Sequence, residues 1–201
     1  MTAWARATLG KPVTGASLVP TIVFTPRGGS LSYSRLPLII LREGELRGET
    51  GDRPPLLNVR HEIAHFWSRA PQSLDWLNEG VAEYLALRRT GDVDGQAVTD
   101  AVIADYRRQI AAAGPSAPIT AGPDDRTFLS TYARPALLLD ALARRHGVAP
   151  VEQLLAAMFA LGTEQSADRL LAQIEARFGA DERATVATCL AARDWSAACG
   201  G

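Results

Sequence analysis

His61 and His65 stand four residues apart, with Glu62 directly after the first of them. On a helix, residues at that spacing share one face, so two imidazoles can grip a single cation. Glu62 projects beside them, where its carboxylate can take a proton from water activated by that cation. Zinc suits these donors, because imidazole is a good zinc ligand and a catalytic zinc keeps one position open for water. Two histidines leave a third protein ligand to be found, and two histidines with one glutamate is an established set. The acidic stretch Asp75-Trp76-Leu77-Asn78-Glu79-Gly80-Val81-Ala82-Glu83-Tyr84 follows after a short connection at 68–73. That length allows a helix hairpin that returns a carboxylate to the histidines.

Taken together, His61-Glu62-Ile63-Ala64-His65 and Trp76-Leu77-Asn78-Glu79-Gly80-Val81-Ala82-Glu83-Tyr84 resemble the gluzincin pattern. The likeness is to peptidase MA-like proteins and M1-type aminopeptidases, and it covers about residues 56 to 147. It implies a thermolysin-like zincin fold, one Zn2+ ion and hydrolysis of peptide bonds. It also implies Glu79, in the Asn-Glu-Gly triplet, as the third zinc ligand. The link from His65 to Glu79 is shorter than in M1 aminopeptidases, which implies a trimmed hairpin. Glu83 lies one turn beyond Glu79. By analogy with thermolysin-like gluzincins it accepts a hydrogen bond from a ligand histidine; alternatively it is a solvated helix glutamate, or the ligand in place of Glu79. Thr131-Tyr132-Ala133-Arg134-Pro135-Ala136 is similar to the M1 segment whose tyrosine steadies the oxyanion, which implies that role for Tyr132. Against it stands a half-buried aromatic at a helix start. Pro135 stands where that segment usually has glycine. The Gly-x-Met-Glu-Asn segment that recognises a free α-amine in M1 enzymes is absent, and Gly28-Gly29-Ser30 carries no carboxylate to replace it.

These residues need elements to hold them. Up to about residue 50, β-leaning runs alternate with Gly and Pro: Leu18 to Thr25, Leu31 to Arg35 and Leu36 to Arg42. Leu38 to Leu41 reads as a buried strand, or as the edge that holds a substrate backbone. Helical periodicity then takes over. A helix is expected over Leu56 to Arg69, ending before Pro71. A second, capped by Ser73 or Asp75, should run to about Arg89 and break at Gly91-Asp92. A third covers Gln96 to Ala113, and Gly114 to Arg126 reads as a loop. Later helices are expected at Tyr132 to His146, with Pro135 in the first turn, then Val151 to Leu161, Ala167 to Phe178 and Glu182 to Arg193. His146 reads as a C-terminal capping residue and not as a ligand. The fold class is α+β, a single gluzincin-like catalytic domain over 1–201 with a small β-rich lobe at 1–50 and a mainly helical lobe at 51–201.

Composition narrows the alternatives. The 201 residues are 47% hydrophobic and 21% charged with a formal net charge of -1. That balance suits a globular chain and offers no general attraction to phosphate backbones, so nucleic acid is not an expected partner. The expected partner is a peptide or protein substrate; the oligomeric state is not legible. Arg outnumbers Lys so heavily, with Lys11 the only lysine, that a GC-rich bacterial genome is the simplest source. No apolar run is long enough to span a bilayer. The opening MTAWARATLG lacks the apolar core of a signal peptide, so the chain reads as cytoplasmic if complete and extracytoplasmic if a leader was removed. Cys189 and Cys199 exclude a cysteine-rich metal site and are either a disulfide or two reduced thiols. Two readings of the zinc site remain: a peptidase with Glu62 as general base, or a non-catalytic zinc-stabilised binding module with the same fold.

Overall fold

Three short runs before the histidine motif, Thr-Ile-Val-Phe-Thr, Tyr-Ser-Arg and Leu-Ile-Ile-Leu-Arg, pair into a three-stranded sheet. The computed structural model describes residues 21–25, 33–35, 38–42, 54, 56–68, 70–71, 74–120 and 127–199. Strands β1 (Thr21–Thr25), β2 (Tyr33–Arg35) and β3 (Leu38–Arg42) lie in the order β1-β3-β2. β1 runs parallel to β3, with Thr21 opposite Leu38 and Thr25 opposite Arg42. β2 runs antiparallel to β3, with Tyr33 opposite Ile40 and Arg35 opposite Leu38. Alternation along β3 buries Ile39 and Leu41 and leaves Leu38 and Ile40 half-buried. The strands fall inside the expected runs, while most of the anticipated lobe at 1–50, Gly28-Gly29-Ser30 included, lies outside the described residues. Of the two readings of Leu38 to Leu41, the buried strand holds over Leu38 to Ile40, which pair with β1 on one side and β2 on the other and leave no free backbone edge for a substrate there.

Helix α1 (Leu57–Ala64) is shorter than the expected Leu56 to Arg69. After it the backbone tightens, with Phe66 N–H bonded to Ile63 O at 3.1 Å and Trp67 N–H to Ala64 O at 2.9 Å. Phe66, Trp67 and Ser68 are all buried. Three consecutive residues of a continuing helix would fan out over more than half its circumference, so the turn lets all three reach the interior.

Helix α2 (Asp75–Asp94) is the centre of the packing, in contact with α1 and with the later helices. Every residue from Gly80 to Leu87 is buried. A helix buried on all sides shows no clean amphipathic stripe, and α2 shows none. It runs through Gly91-Asp92, contrary to expectation, and stops at Gly95, where φ is +102°. Gly91 is a packing residue: a Cβ there would stand 2.9 Å from Gln96 Oε1 and 3.2 Å from Thr99 Oγ1. No side chain caps α2; Ser73 lies outside the described residues, and Asp75 is its first residue, where a negative charge suits the helix dipole.

Helix α3 (Gln96–Ala113) has the expected bounds. Helical structure then begins earlier than Tyr132. A π-helical turn at Leu129–Ala133 leads into α4 (Arg134–His146), and the Arg134 N–H bonds the Leu129 carbonyl five residues back. In an unbroken α-helix the Pro135 ring would press on the Thr131 carbonyl, and the wider turn gives it room. Helices α5 (Val148–Ala160), α6 (Ala167–Phe178) and α7 (Ala180–Ala191) follow. The sequence reading contains no counterpart to α8 (Trp195–Cys199). α8 is tied to α7 by the disulfide Cys189–Cys199.

α4 meets α2 at an unusually close point. A Cβ on Gly80 would lie 2.2 Å from the Pro135 Cβ, so only glycine allows the approach. Gly80→Ala should cost about 1–3 kcal/mol, since a proline ring cannot rotate away. The expected loss of melting temperature, roughly 2–4 °C for each kcal/mol, is read by thermal denaturation. Replacing both Cys189 and Cys199 by Ser should cost about 2–3 kcal/mol, the entropy of a short closed loop. Denaturant melts should show that loss only without reductant.

Candidate metal centre

α1 carries His61 and His65 on one face, and α2 brings Glu79 against them. His61 Nε2, His65 Nε2 and Glu79 Oε2 form a triangle whose three sides are each 3.1 Å. Ligands at zinc distances in a tetrahedron are about 3.3–3.4 Å apart, so the triangle is one face of a zinc-sized site. Two imidazole nitrogens point at each other, an arrangement that a shared cation stabilises and two N–H donors would not. The donor set therefore fits zinc.

The remaining nitrogens are oriented for the same purpose. His61 Nδ1 donates to Glu83 Oε2 at 2.8 Å, which leaves Nε2 to face the triangle. His65 Nδ1 lies 3.3 Å from Ser68 Oγ. Glu83 is fully buried and so is not a solvated helix glutamate. Its second oxygen accepts from the Tyr106 hydroxyl. The triangle is made by Glu79 and not by Glu83.

Charges at the centre support one another. Burial alone would lower the pKa of His61, but hydrogen bonds and attraction from Glu79 and Glu83 outweigh it and raise it from 6.5 to about 9. Burial alone would raise Glu79, and the hydrogen bonds from His61 and His65 instead hold its carboxyl well below the usual range. Tyr132 sits in the π-helical turn, its ring stacked on His61 with centroids 5.5 Å apart. Burial pushes its hydroxyl above the ordinary tyrosine value, and the nearby carboxylates of Glu79, Asp75 and Glu62 add to this. The group thus stays a proton-bearing donor. Glu62 is buried next to His61, and its charge is felt at the Tyr132 hydroxyl.

All six residues singled out in the sequence, His61, Glu62, His65, Glu79, Glu83 and Tyr132, gather in this region. Three further contributors were missed. Ser68 stands three residues after His65, a spacing that could have been read as a helical neighbour. Tyr106, a separate helix away, gives no local signal. Arg60, buried beside His61, ties α1 to the end of α2 through Thr90 Oγ1 at 2.7 Å and Asp94 at 2.5 Å. His146 does not cap its own helix: its Nε2 lies 2.8 Å from Glu182 Oε2 on α7, and its ring stacks on Phe178.

No protein-family model and no curated sequence matches the chain. Solved structures do. An M1 zinc metallopeptidase from Deinococcus radiodurans matches over 86% of this chain at 24% identity with a TM-score of 0.68. A mutant of an M1 zinc metallopeptidase from that organism, bound to a Tyr-Ser-Ala substrate, matches at 24% identity with a TM-score of 0.69. A two-domain M1 mutant bound to L-arginine matches over 87% at 23% identity and 0.68. The chain has an M1-like fold. It spans 39% of the length of each of those structures. Among the described residues, no helix is long and apolar enough to cross a membrane.

In chelator-treated protein, the raised pKa of His61 should stabilise the fold fully below pH 6.5 and lose that contribution as pH rises through about 9. The depressed pKa of Glu79 should stabilise above pH 4.5 and lose its contribution as pH falls below that value. Melting temperature followed from pH 4 to 10 should therefore decline on the alkaline side, and His61→Asn should remove that decline. Zinc binding near pH 7 should expel about one proton, measured by calorimetry in buffers of different ionisation heat.

Proposed function

We propose that the chain is the catalytic unit of a zinc-dependent peptidase, with His61, His65 and Glu79 as metal ligands and Glu62 as general base. The equal-sided triangle of donor atoms beside a buried glutamate carries this reading. When bound, zinc supplies Lewis-acid chemistry, lowering the pKa of a water molecule and polarising a peptide carbonyl.

The chain's own residues do the rest. Glu62 accepts the proton of the attacking water and passes it to the leaving amine nitrogen. Tyr132, held protonated by burial and by neighbouring carboxylates, donates a hydrogen bond to the oxygen on which negative charge develops. Glu83 keeps the His61 proton on Nδ1. Among the described residues β1 and β2 are the outer strands of the sheet, and the outer edge of β2, the outer strand that packs near α1, is the one assigned to a substrate backbone. A purely structural zinc site is closed by four protein ligands. Among the described residues this cluster offers three, and it keeps a base and a donor beside them.

The test is peptide cleavage that stops on chelation and returns with zinc. Glu62→Gln should bind zinc as tightly as the parent and lose nearly all turnover; full activity in that variant would sink the mechanism. Tyr132→Phe should lower kcat by about 10²–10³ with little change in KM, as expected for a donor that acts on developing charge.

A further inference from the structure

Tyr106 belongs to α3, an element with no other part in the centre described so far. Its side chain is buried, and its hydroxyl donates to Glu83 Oε1. The other oxygen of the same carboxylate accepts from His61 Nδ1 at 2.8 Å. One fully buried carboxylate on α2 is thus gripped from α1 on one side and from α3 on the other. Phe128 stands edge-on to the Tyr106 ring at 5.6 Å and 75°, and also stacks on Tyr132 at 5.3 Å.

We propose that Tyr106 is a positioning residue for the zinc centre, acting through Glu83. The inference rests on the zinc reading above and adds to it a specific determinant of metal affinity. A carboxylate can turn about its last bond. The Tyr106 hydroxyl fixes that rotation by holding Oε1, which points Oε2 at His61. With Oε2 in place, His61 keeps its proton on Nδ1 and offers Nε2 to the metal. Losing the hydroxyl removes a donor from a buried anion and loosens its aim, while the ring that fills the space can stay.

The experiment is zinc affinity by chelator competition on the full chain, with folding checked by circular dichroism. Tyr106→Phe should bind zinc about tenfold more weakly, within the range seen when a partner of a metal-ligating histidine is removed. In a Glu83→Gln background the same substitution should cost no further affinity. Parent-like affinity in Tyr106→Phe overturns the proposal. So does an equal loss in both backgrounds, which would mean simple packing. A parent that binds no zinc sinks the zinc reading itself, and is seen before any variant is compared. Should Tyr106→Phe not fold, 3-fluorotyrosine placed at 106 retains the hydroxyl and the bulk. Its fluorine resonance should move on zinc addition in the parent and stay still in Glu83→Gln. A resonance that zinc leaves unmoved in the parent overturns the proposal.

Discussion

Two imidazole nitrogens and a carboxylate oxygen held 3.1 Å apart in a largely buried place demand positive charge among them. A proton on His61 can meet that demand, and so can a divalent cation; the geometry has room for either. This single electrostatic constraint explains why Glu79 and Glu83 both face His61 across the interface between α1 and α2. Neither carboxylate is stable there without the imidazoles, and the imidazoles are aimed by the carboxylates.

α2 answers that constraint with its whole length. It supplies Glu79 to the triangle and Glu83 to His61, while its flanking residues form the middle of the core. At Gly80, next to Glu79, Pro135 of α4 packs directly against the backbone of α2. That approach ties Pro135, and with it the π-helical turn bearing Tyr132, to the helix that carries Glu79. Arg60 adds a second tie, from the residue before His61 to the far end of α2. The donor triangle and Tyr132 are thereby tied to the same helix, which limits their relative displacement.

The aromatic rings complete a closed circuit. His61 stacks on Tyr132, Tyr132 on Phe128, and Phe128 meets Tyr106, whose hydroxyl returns to Glu83 and so to His61. The stacked rings contribute dispersion along this circuit, although Phe128 itself is exposed. The likeness to larger M1 zinc metallopeptidases is confined to this chain's share of their fold, and every residue of the circuit lies within the described residues.

The sequence alone determined the donors and their partners at short range. His61, Glu62 and His65 follow from helical spacing, and Glu79, Glu83 and Tyr132 from motif resemblance, because local periodicity and short motifs are written in neighbouring residues. It also placed α3 and α6 to the residue and the three strands closely. Tertiary structure decided what no local window contains. It carried α2 through Gly91, where the backbone makes room for α3, and cut α1 short so that Phe66 and Trp67 could both be buried. It paired β3 on both sides over Leu38 to Ile40, widened the turn before Pro135, and chose the disulfide for Cys189 and Cys199. It also recruited Tyr106 and set Glu83 in the interior instead of in water. In each case the deciding energy is contact between segments distant in the chain, and such contact overrides the modest local preferences of single residues.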